Sequence, residues 1–430
     1  MDGRGARTAH VHPAPRAHSR TSLLLPAFWV VLALTVVGAV RLSGFVRTSF
    51  AELPVATAVA VGLFVCYAVP LWLFVAALDH LEREPALLRA TAVAWGGLVA
   101  TTISVPGVAA LHNLIAKLVS PAFAATWGSA LAGPTVEEVA KALGVIAIVL
   151  VARAQLNSVL DGVVYGALVG LGFQVVEDIA YALNAVALAG HGDSVRPVIA
   201  TFLLRGLLAG LWSHTLFAAL AGAGIGYLVV RTDRSMASRV GAAMLAFGGA
   251  WTCHFLRNAP LPSGGLGGGP WLFAGLVLKG VPPMVVVALL VRAARQREAD
   301  YNTAEQAAPN DTRIATAAGL HAFGSGHLRV KGRRYPFARA GMRGRRAVRR
   351  LQRAQAGLAV DSSRGGSGFR WFGRAPRERS RLVAIGHPEA HAAKRRHRSG
   401  PLLAAALAGA AFAVLLAVWL AILAVCAPSL

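Results

Sequence analysis

Long apolar stretches without charged side chains dominate this chain. The stretches 23–40, 54–78 and 401–426 hold no or almost no ionisable residue, and 56% of all residues are hydrophobic while 14% are charged. A helix needs about 20 apolar residues to cross the ~30 Å hydrocarbon layer of a bilayer, whereas soluble domains carry roughly 25% charged residues. The sequence therefore predicts a polytopic membrane protein, and its continuous apolar stretches favour helices over alternating barrel strands.

The predicted fold is an all-α transmembrane bundle of about eight core spans, followed by a basic tail and a ninth, C-terminal span. The expected spans are 23–40, 54–78, 91–110, 136–152, 162–189, 199–230, 240–257, 271–291 and 402–426. The corresponding regions are a basic N-terminus (1–22), a transmembrane domain (23–292), the tail (293–400) and the last span (401–430).

The net charge of +24 is concentrated in the tail, where residues 292–400 contain 25 Lys and Arg against 7 Asp and Glu. A basic segment beside a membrane is typical of the cytoplasmic side and is attracted to anionic lipid, which is the expected partner of the tail. No nucleic-acid motif accompanies the charge, so nucleic acid is not an expected partner. The tail composition predicts a largely disordered segment. Near 341–360 a solvated linker is favoured, and a helix lying on the membrane surface is the alternative.

Basic residues in alternate loops predict the orientation of the spans. Arg83 and Arg89, Arg153, and the loop 231–239 fall on the same side as both basic ends of the transmembrane domain. We therefore expect a multi-pass protein of the cell membrane with a cytoplasmic N-terminus.

Ionisable residues inside predicted spans are costly and usually face the interior of a bundle, where they often have a function. The first group is Glu137, Glu138 and Lys141, which follow Pro134 and Thr135 at the expected start of the fourth span. Glu137 and Lys141 are four residues apart, so they are expected to pair on one helix face. Two adjacent carboxylates beside one cation suit a general base, and stabilisation of a helix N-terminus is the equally weighted alternative.

Three further groups lie in later spans. Glu177 and Asp178 follow a series of glycines in the fifth span, where a structural pairing of Glu177 with an intramembrane arginine is the alternative to a catalytic role. His214 lies in the sixth span, and a single histidine there is more often structural than catalytic. His254 and Asn258 share one face of the seventh span and could donate two hydrogen bonds to one oxyanion.

Counting residues along each span at about 1.5 Å per residue places these polar groups at overlapping depths, in the outer half of the membrane. Independent spans would not be expected to agree in this way if their charges served separate structural contacts. We therefore expect one shared site with Glu137, Glu138, Glu177, His214, His254 and Asn258 as catalytic residues, supported by Lys141 and Asp178.

The motif order resembles the PrsW family of membrane proteases, which is related to the type II CAAX prenyl endopeptidases. The matching elements are the EExxK of Glu137–Lys141, the GFxxxE of Gly172–Glu177, His214, and the HxxxN of His254–Asn258. The acidic, proline-containing loop 79–85 is also similar. Asp178 departs from the family pattern, and the tail and last span lie outside the resemblance.

The resemblance implies a glutamate-dependent peptidase that cuts a single-span membrane protein, such as an anti-sigma factor, on its extracytoplasmic side. The residues predict that Glu137 or Glu138 activates the water, with a slight preference for Glu138. The absence of an HExxH motif favours a reaction without a cofactor, and zinc bound by Glu and His is the alternative. A proton-coupled transporter and a membrane scaffold with a lipid-binding tail are the competing functions.

Overall fold

The computed structural model describes residues 25–78, 84–208, 210, 213–260, 269–307, 326–363, 374, 377 and 378. In these residues the regular structure is helical, as the sequence predicts. The helices of the larger compact unit are α1 (Pro26–Glu52), α2 (Pro54–Leu78), α3 (Ala86–Leu118), α4 (Pro121–Ala152), α5 (Val159–Ala189), α6 (Arg196–Thr201, continued by the π-helical Phe202–Leu208), α7 (His214–Val230), α8 (Met236–Asn258) and the first part of α9 (Gly269–Ala307), up to Val291.

Four of the described helices are long and apolar enough to cross a membrane by length and composition alone: α1, α2, α3 and α5. In α1 only 6% of the most apolar window is buried, whereas in α5 the corresponding fraction is 83%. The helix α5 is therefore central, and the outer helices turn most of their apolar surface outwards, as a lipid environment allows. The predicted count of eight or nine spans stays a prediction, and the ninth lies outside the described residues.

Glycines on one face of α5 let α7 approach closely, as the sequence suggests. A Cβ added to Gly162 would lie 2.3 Å from the carbonyl oxygen of Gly222, and one added to Gly166 would lie 2.1 Å from that of Ala218. A Cβ on Gly170 would lie 2.2 Å from the carbonyl oxygen of His214. Because real Cβ atoms do not come so close to other atoms, glycine at these positions sets the distance between the two helices.

The helix α3 packs on a different side of α5 through a π-helical stretch, Trp95–Ala100. A Cβ on Gly96 would lie 1.9 Å from the carbonyl oxygen of Val169, so the backbones of α3 and α5 are in direct contact at this glycine. The Trp95 indole donates a 3.0 Å hydrogen bond from Nε1 to the carbonyl oxygen of Ala140 in α4. This contact fixes α4 against α3, two residues after Glu138.

Two predicted helix boundaries are wrong. The helix α4 begins at Pro121, where the Ser120 side chain caps it by accepting from the Phe123 amide, so Pro134 and Thr135 lie inside the helix. The predicted span 199–230 is not continuous, because the helix ends at Leu208 and a new helix begins at His214. The gap contains Gly210, whose carbonyl accepts a 3.2 Å bond from the buried Gln174 side chain.

The turns after α4 and α7 lie side by side at one end of this unit. Arg153 donates to the carbonyl oxygen of Val229 at 3.1 Å, and Arg239 donates to that of Leu228. In the same loop, hydrogen bonding to Arg231 holds the pKa of the Asp233 carboxyl below its usual range. Two of the basic turns used to predict the orientation are therefore neighbours in space.

The second compact unit contains α10 (Gly326–Lys331) and α11 (Arg334–Ser363), which has a kink at Gly341. The helix suggested near 341–360 is thus present. Its buried face carries Ala347, Val348, Leu351 and Ala354, while arginines occupy its exposed face. The remainder of the predicted tail lies largely outside the described residues.

Candidate active site

The helix α4 carries three ionisable side chains near its middle. Glu137 is sixteen residues from Pro121, about 24 Å along the helix. Glu138 is 0% exposed, Lys141 is 1% exposed and Glu137 is 7% exposed. Because these residues are far from the helix N-terminus, stabilisation of that terminus does not explain them. Their burial makes specific partners necessary.

Lys141 pairs with Glu138, whereas the sequence predicted a pair with Glu137. The Lys141 Nζ atom lies 2.6 Å from Glu138 Oε1, and the same oxygen lies 2.8 Å from Nδ1 of His254 in α8. A carboxylate accepts hydrogen bonds, so His254 donates from Nδ1 and keeps a lone pair on Nε2. Glu138 therefore orients His254 and is neutralised by Lys141.

His214 is held by a second carboxylate. Lys141 Nζ lies 2.9 Å from Nδ1 of His214. Glu177 Oε2 lies 2.8 Å from Nε2 of the same ring, but the angles at this contact are not those of a hydrogen bond. Arg205 of α6 in turn binds Glu177 Oε2 at 2.7 Å and Asp178 Oδ1 at 2.8 Å. The intramembrane arginine considered as the alternative partner of Glu177 is thus present, and it holds Glu177 against His214.

Glu137 lies between the two imidazoles. Its Oε2 atom is 3.7 Å from His214 Nδ1 and 3.8 Å from His254 Nε2, and it is buried without a hydrogen-bond partner. On the opposite side of each ring a carboxylate approaches the other nitrogen, Glu177 for His214 and Glu138 for His254. Glu137 Oε2, His214 Nδ1 and His254 Nε2, each from a different helix, therefore face one buried point. Lys141 donates to His214 Nδ1 and Asn258 donates to His254 Nε2, so Glu137 Oε2 is the one of these three atoms without a hydrogen-bond partner.

Asn258 completes the group of predicted residues. Its Nδ2 lies 3.1 Å from His254 Nε2 and 3.5 Å from the carbonyl oxygen of Ser129 in α4. The amide therefore lies at the edge of the site, where its donors can reach an oxygen that develops negative charge. The pair of donors to one oxyanion expected from His254 and Asn258 is reduced to Asn258, because the Nδ1 proton of His254 is used by Glu138.

Aromatic rings close the inner side of the site. The ring of Phe173 lies 5.0 Å from that of His214, and Phe217 stacks on His254 at 5.4 Å. Lys141 Nζ lies 4.8 Å from the centre of the Phe173 ring, so the cation also faces an aromatic surface. These rings keep water away from Glu138 and Lys141.

The arrangement fits a divalent metal ion. Glu137, His214 and His254 each offer one ligand atom, and the three atoms lie within 4.8 Å of one another. The buried Glu137 Oε2 lacks a hydrogen-bond partner, so its lone pairs are available to a cation. Two histidines and a glutamate are common zinc ligands, and a carboxylate behind each histidine is their usual second contact. The zinc alternative is therefore favoured by the geometry, and the missing HExxH motif does not oppose it because the ligands come from α4, α7 and α8.

Sequence reasoning did not single out Arg205 and Gln174. Gln174 accepts from the Thr215 amide at 3.4 Å and hydroxyl at 3.0 Å, which anchors the first turn of α7 next to His214. Arg205 and Gln174 gave a usable signal, since both are polar residues inside apolar spans. Trp212 and residues 79–83 lie outside the described residues.

Comparison with known families agrees with this geometry. A family model described as PrsW family intramembrane metalloprotease matches residues 84–293. No curated protein and no solved structure gives a match. The matched segment includes all eight predicted site residues, and its apolar helices are those of a multi-pass membrane protein. The resemblance found in the sequence is confirmed: residues 84–293 form an intramembrane peptidase domain that belongs to the PrsW family.

Proposed function

We propose that the chain hydrolyses a peptide bond of a single-span membrane protein, using a water activated at Glu137. The observation that carries this proposal is the position of Glu137 between His214 and His254, with Oε2 buried and unpartnered. An anti-sigma factor is the substrate class that the family resemblance implies. Hydrolysis adds water across the C–N bond and gives a carboxylate and an amine.

The residues divide the chemistry between them. Glu137 takes a proton from the attacking water and returns it to the leaving amine nitrogen. Asn258 donates to the carbonyl oxygen as it becomes negative. Glu138 and Glu177 hold His254 and His214 in orientation, while Lys141 and Arg205 neutralise these carboxylates. The preference for Glu138 as the base is replaced by Glu137, because Glu138 Oε1 is already bound to Lys141 and His254.

Glu137, His214 and His254 are the residues that would hold a metal ion. A bound divalent metal would supply a Lewis acid for the peptide carbonyl and make water a better nucleophile. With Glu137 Oε2 directed at the histidines, the Oε1 atom remains for the water.

The position of the site along α4 supports cleavage in the outer half of the cell membrane. Arg153 at the end of α4 is sixteen residues from Glu137, about 24 Å, and its turn lies beside the basic α7–α8 turn. If this basic end is cytoplasmic and lies at the edge of a ~30 Å hydrocarbon layer, Glu137 lies in the outer half of the layer, and the part of α4 that leads back to Pro121 extends beyond the lipid.

The test compares the membrane proteins of cells that carry the wild type, Glu137→Gln or Glu52→Gln. Glu52 is an exposed glutamate at the end of α1 and serves as the control. We expect one full-length single-span protein to accumulate with Glu137→Gln only, with cleavage reduced at least 100-fold. Equal amounts of every single-span protein in the three strains would contradict the proposal, and altered ion or proton flux instead would favour a transporter.

The metal assignment is tested on purified protein in detergent by elemental analysis. We expect about one divalent ion per chain in the wild type and in His191→Ala, whose histidine lies in the exposed α5–α6 loop. His254→Ala should lose the ion because it removes one of three ligands. A fully active protein without stoichiometric metal would support the reaction without a cofactor.

A further inference from the structure

Arg257 is a basic residue beside the site whose guanidinium lacks a partner in the part of the chain that the structure describes. It lies in the last turn of α8, three residues after His254 and one before Asn258, and it is partly exposed. Lys141 and Arg205 form close ion pairs, whereas no described residue makes an ion pair or a hydrogen bond with the Arg257 side chain. A cation in a membrane protein is costly without a partner, and such residues commonly mark a functional site.

Stabilisation of the α8 C-terminus does not account for Arg257. A basic side chain can serve a helix end by binding its last carbonyl oxygens. Lys279 of α9 already does so, at 2.6 Å from the carbonyl oxygen of Ala259 and 3.4 Å from that of Arg257 itself. The Arg257 charge interacts instead with Glu177 and Asp178 of α5. The guanidinium therefore lies on the side of α8 that faces the site.

Neutralising Glu177 and Asp178 does not use the donors of Arg257. Arg205 makes the direct contacts with both carboxylates, so Arg257 adds only attraction at longer range. A guanidinium carries five N–H donors and binds a carboxylate through two of them at once. In Arg257 these donors are left for a ligand, and that ligand is expected to be anionic.

Arg257 lies farther from the basic end of the bundle than Glu137. It is 21 residues from Met236, where α8 begins after the basic turn, or about 32 Å along the helix. Glu137 is about 24 Å from the corresponding end of α4. Arg257 therefore borders the outer side of the site with Arg205 and Tyr181, whose ring is 47% exposed and lies 3.7 Å from the Arg205 guanidinium. A peptide that continues outwards from the site passes these groups.

We propose that Arg257 binds a carboxylate of the substrate, on the segment that continues outwards from the cleaved bond. This inference deepens the proposed peptidase function and rests on it. A height difference of about 8 Å corresponds to two or three residues of extended chain at about 3.3 Å each, so an Asp or Glu within about four residues of the cut can reach the guanidinium. A lipid phosphate is less suitable, because the guanidinium faces the inside of the bundle near Glu177 and Asp178.

The first part of the experiment maps the cuts with full-length protein in cells. Mass spectrometry of the new termini that are present with the wild type and absent with Glu137→Gln identifies the cleaved bonds. We expect an Asp or Glu within about four residues of each cut, on its outward side. Replacing this residue with Asn or Gln gives a neutralised substrate, which the wild-type enzyme should cleave at least tenfold more slowly because the ion pair with Arg257 is lost.

The second part changes the arginine in purified full-length protein. Arg257→Gln should raise KM for the native substrate at least tenfold and keep kcat within threefold, and Arg257→Lys should recover part of the loss because it keeps the charge. Arg196→Gln, which changes an exposed arginine at the start of α6, is the control and should stay within twofold of the wild type. The neutralised substrate should be cleaved equally by the wild type and Arg257→Gln, since one partner of the pair is already absent.

The neutralised substrate tests this contact without any change to the enzyme, so the inference stays testable even if an Arg257 variant does not fold. Cuts without an outward acidic residue, or an unchanged KM with Arg257→Gln, would overturn the role of Arg257 and leave the peptidase intact. An equal loss of cleavage on native and neutralised substrates would also overturn it and assign the arginine to a lipid headgroup or to the stability of α8. If no terminus depends on Glu137, the proposed function fails, and this inference fails with it.

Discussion

At the level of single residues, the buried ion pair of Lys141 and Glu138 determines how the site is organised. Lys141 lies 2.6 Å from Glu138 Oε1 and 2.9 Å from His214 Nδ1, so one cation contacts both halves of the site. Glu138 in turn reaches His254. The pair therefore links the two histidines without contacting Glu137, and its role is to position them.

Removing one charge of this pair should cost more stability than removing both. Lys141→Met leaves Glu138 buried without its cation, and breaking a buried pair costs about 3–5 kcal/mol. The double variant Lys141→Met/Glu138→Gln removes both charges and should recover a large part of that loss. Thermal unfolding in detergent measures the difference, and equal melting temperatures for the single and double variants would contradict the pairing.

Arg205 is the residue that connects the site to the broken sixth span. Its guanidinium binds Glu177 and Asp178 and lies 3.7 Å from the centre of the Tyr181 ring. Asp178, the position that departs from the family pattern, is thereby explained as a second acceptor for this arginine. The carboxylate that faces His214 is thus fixed by a residue in the last turn of α6, just before that helix ends at Leu208.

At the level of elements, the contact between α5 and α7 fixes the height of His214. Because α7 begins at His214, the histidine sits on the first turn of a short helix whose backbone rests on Gly170. Gln174 holds both edges of the break, through Gly210 on one side and Thr215 on the other. The interruption therefore places a histidine at this depth with its position set by the central helix.

Enlarging Gly170 should displace this helix. A Cβ at Gly170 would lie 2.2 Å from the carbonyl oxygen of His214, so Gly170→Ala must move the backbone of α7 away from α5 and displace His214. We expect a lower melting temperature and at least tenfold less cleavage. Gly62→Ala in α2 is the control, since its Cβ would have nothing within 4 Å. A Gly170→Ala protein as active and stable as this control would show that the close approach is not required.

At the level of the whole molecule, the chain combines a peptidase domain with a basic tail that the family match does not include. The described helix α11 exposes Arg343, Arg345, Arg346 and Arg349 on the side opposite its small apolar cluster. Such a face suits the anionic lipid partner expected from the sequence. Each arginine near an anionic surface contributes about 1 kcal/mol of attraction.

Replacing these four arginines with Gln should weaken membrane-surface binding and leave the chemistry unchanged. Two measurements on the full-length variant test this. The first is its cleavage rate, and the second is the accessibility of its tail to protease at low and high salt, in liposomes with and without anionic lipid. We expect protection of the wild-type tail by anionic lipid at low salt only. Equal protection of the variant would exclude a role for this face, and lost cleavage would favour a scaffold function of the tail.

The sequence by itself determined that this chain crosses a membrane many times and which residues break the apolar pattern. Charged and imidazole side chains are costly in lipid, so Glu137, Glu138, Glu177, His214 and His254 were visible without a structure, and their motif order indicated the family. The series of glycines in the fifth span also indicated a close contact with another helix. These inferences needed only local composition and spacing.

Only the tertiary structure decided how those residues pair. Positions three and four apart share a helix face, so the sequence of α4 is compatible with a pair between Lys141 and either glutamate. In the structure Lys141 binds Glu138, which also contacts His254 of α8. The break before His214 and the contact of Arg205 with Glu177 likewise depend on which helix lies opposite. The sequence of a helix shows which residues share a face, but the distance to the neighbouring helix and the residues that face each other across the contact are set by packing.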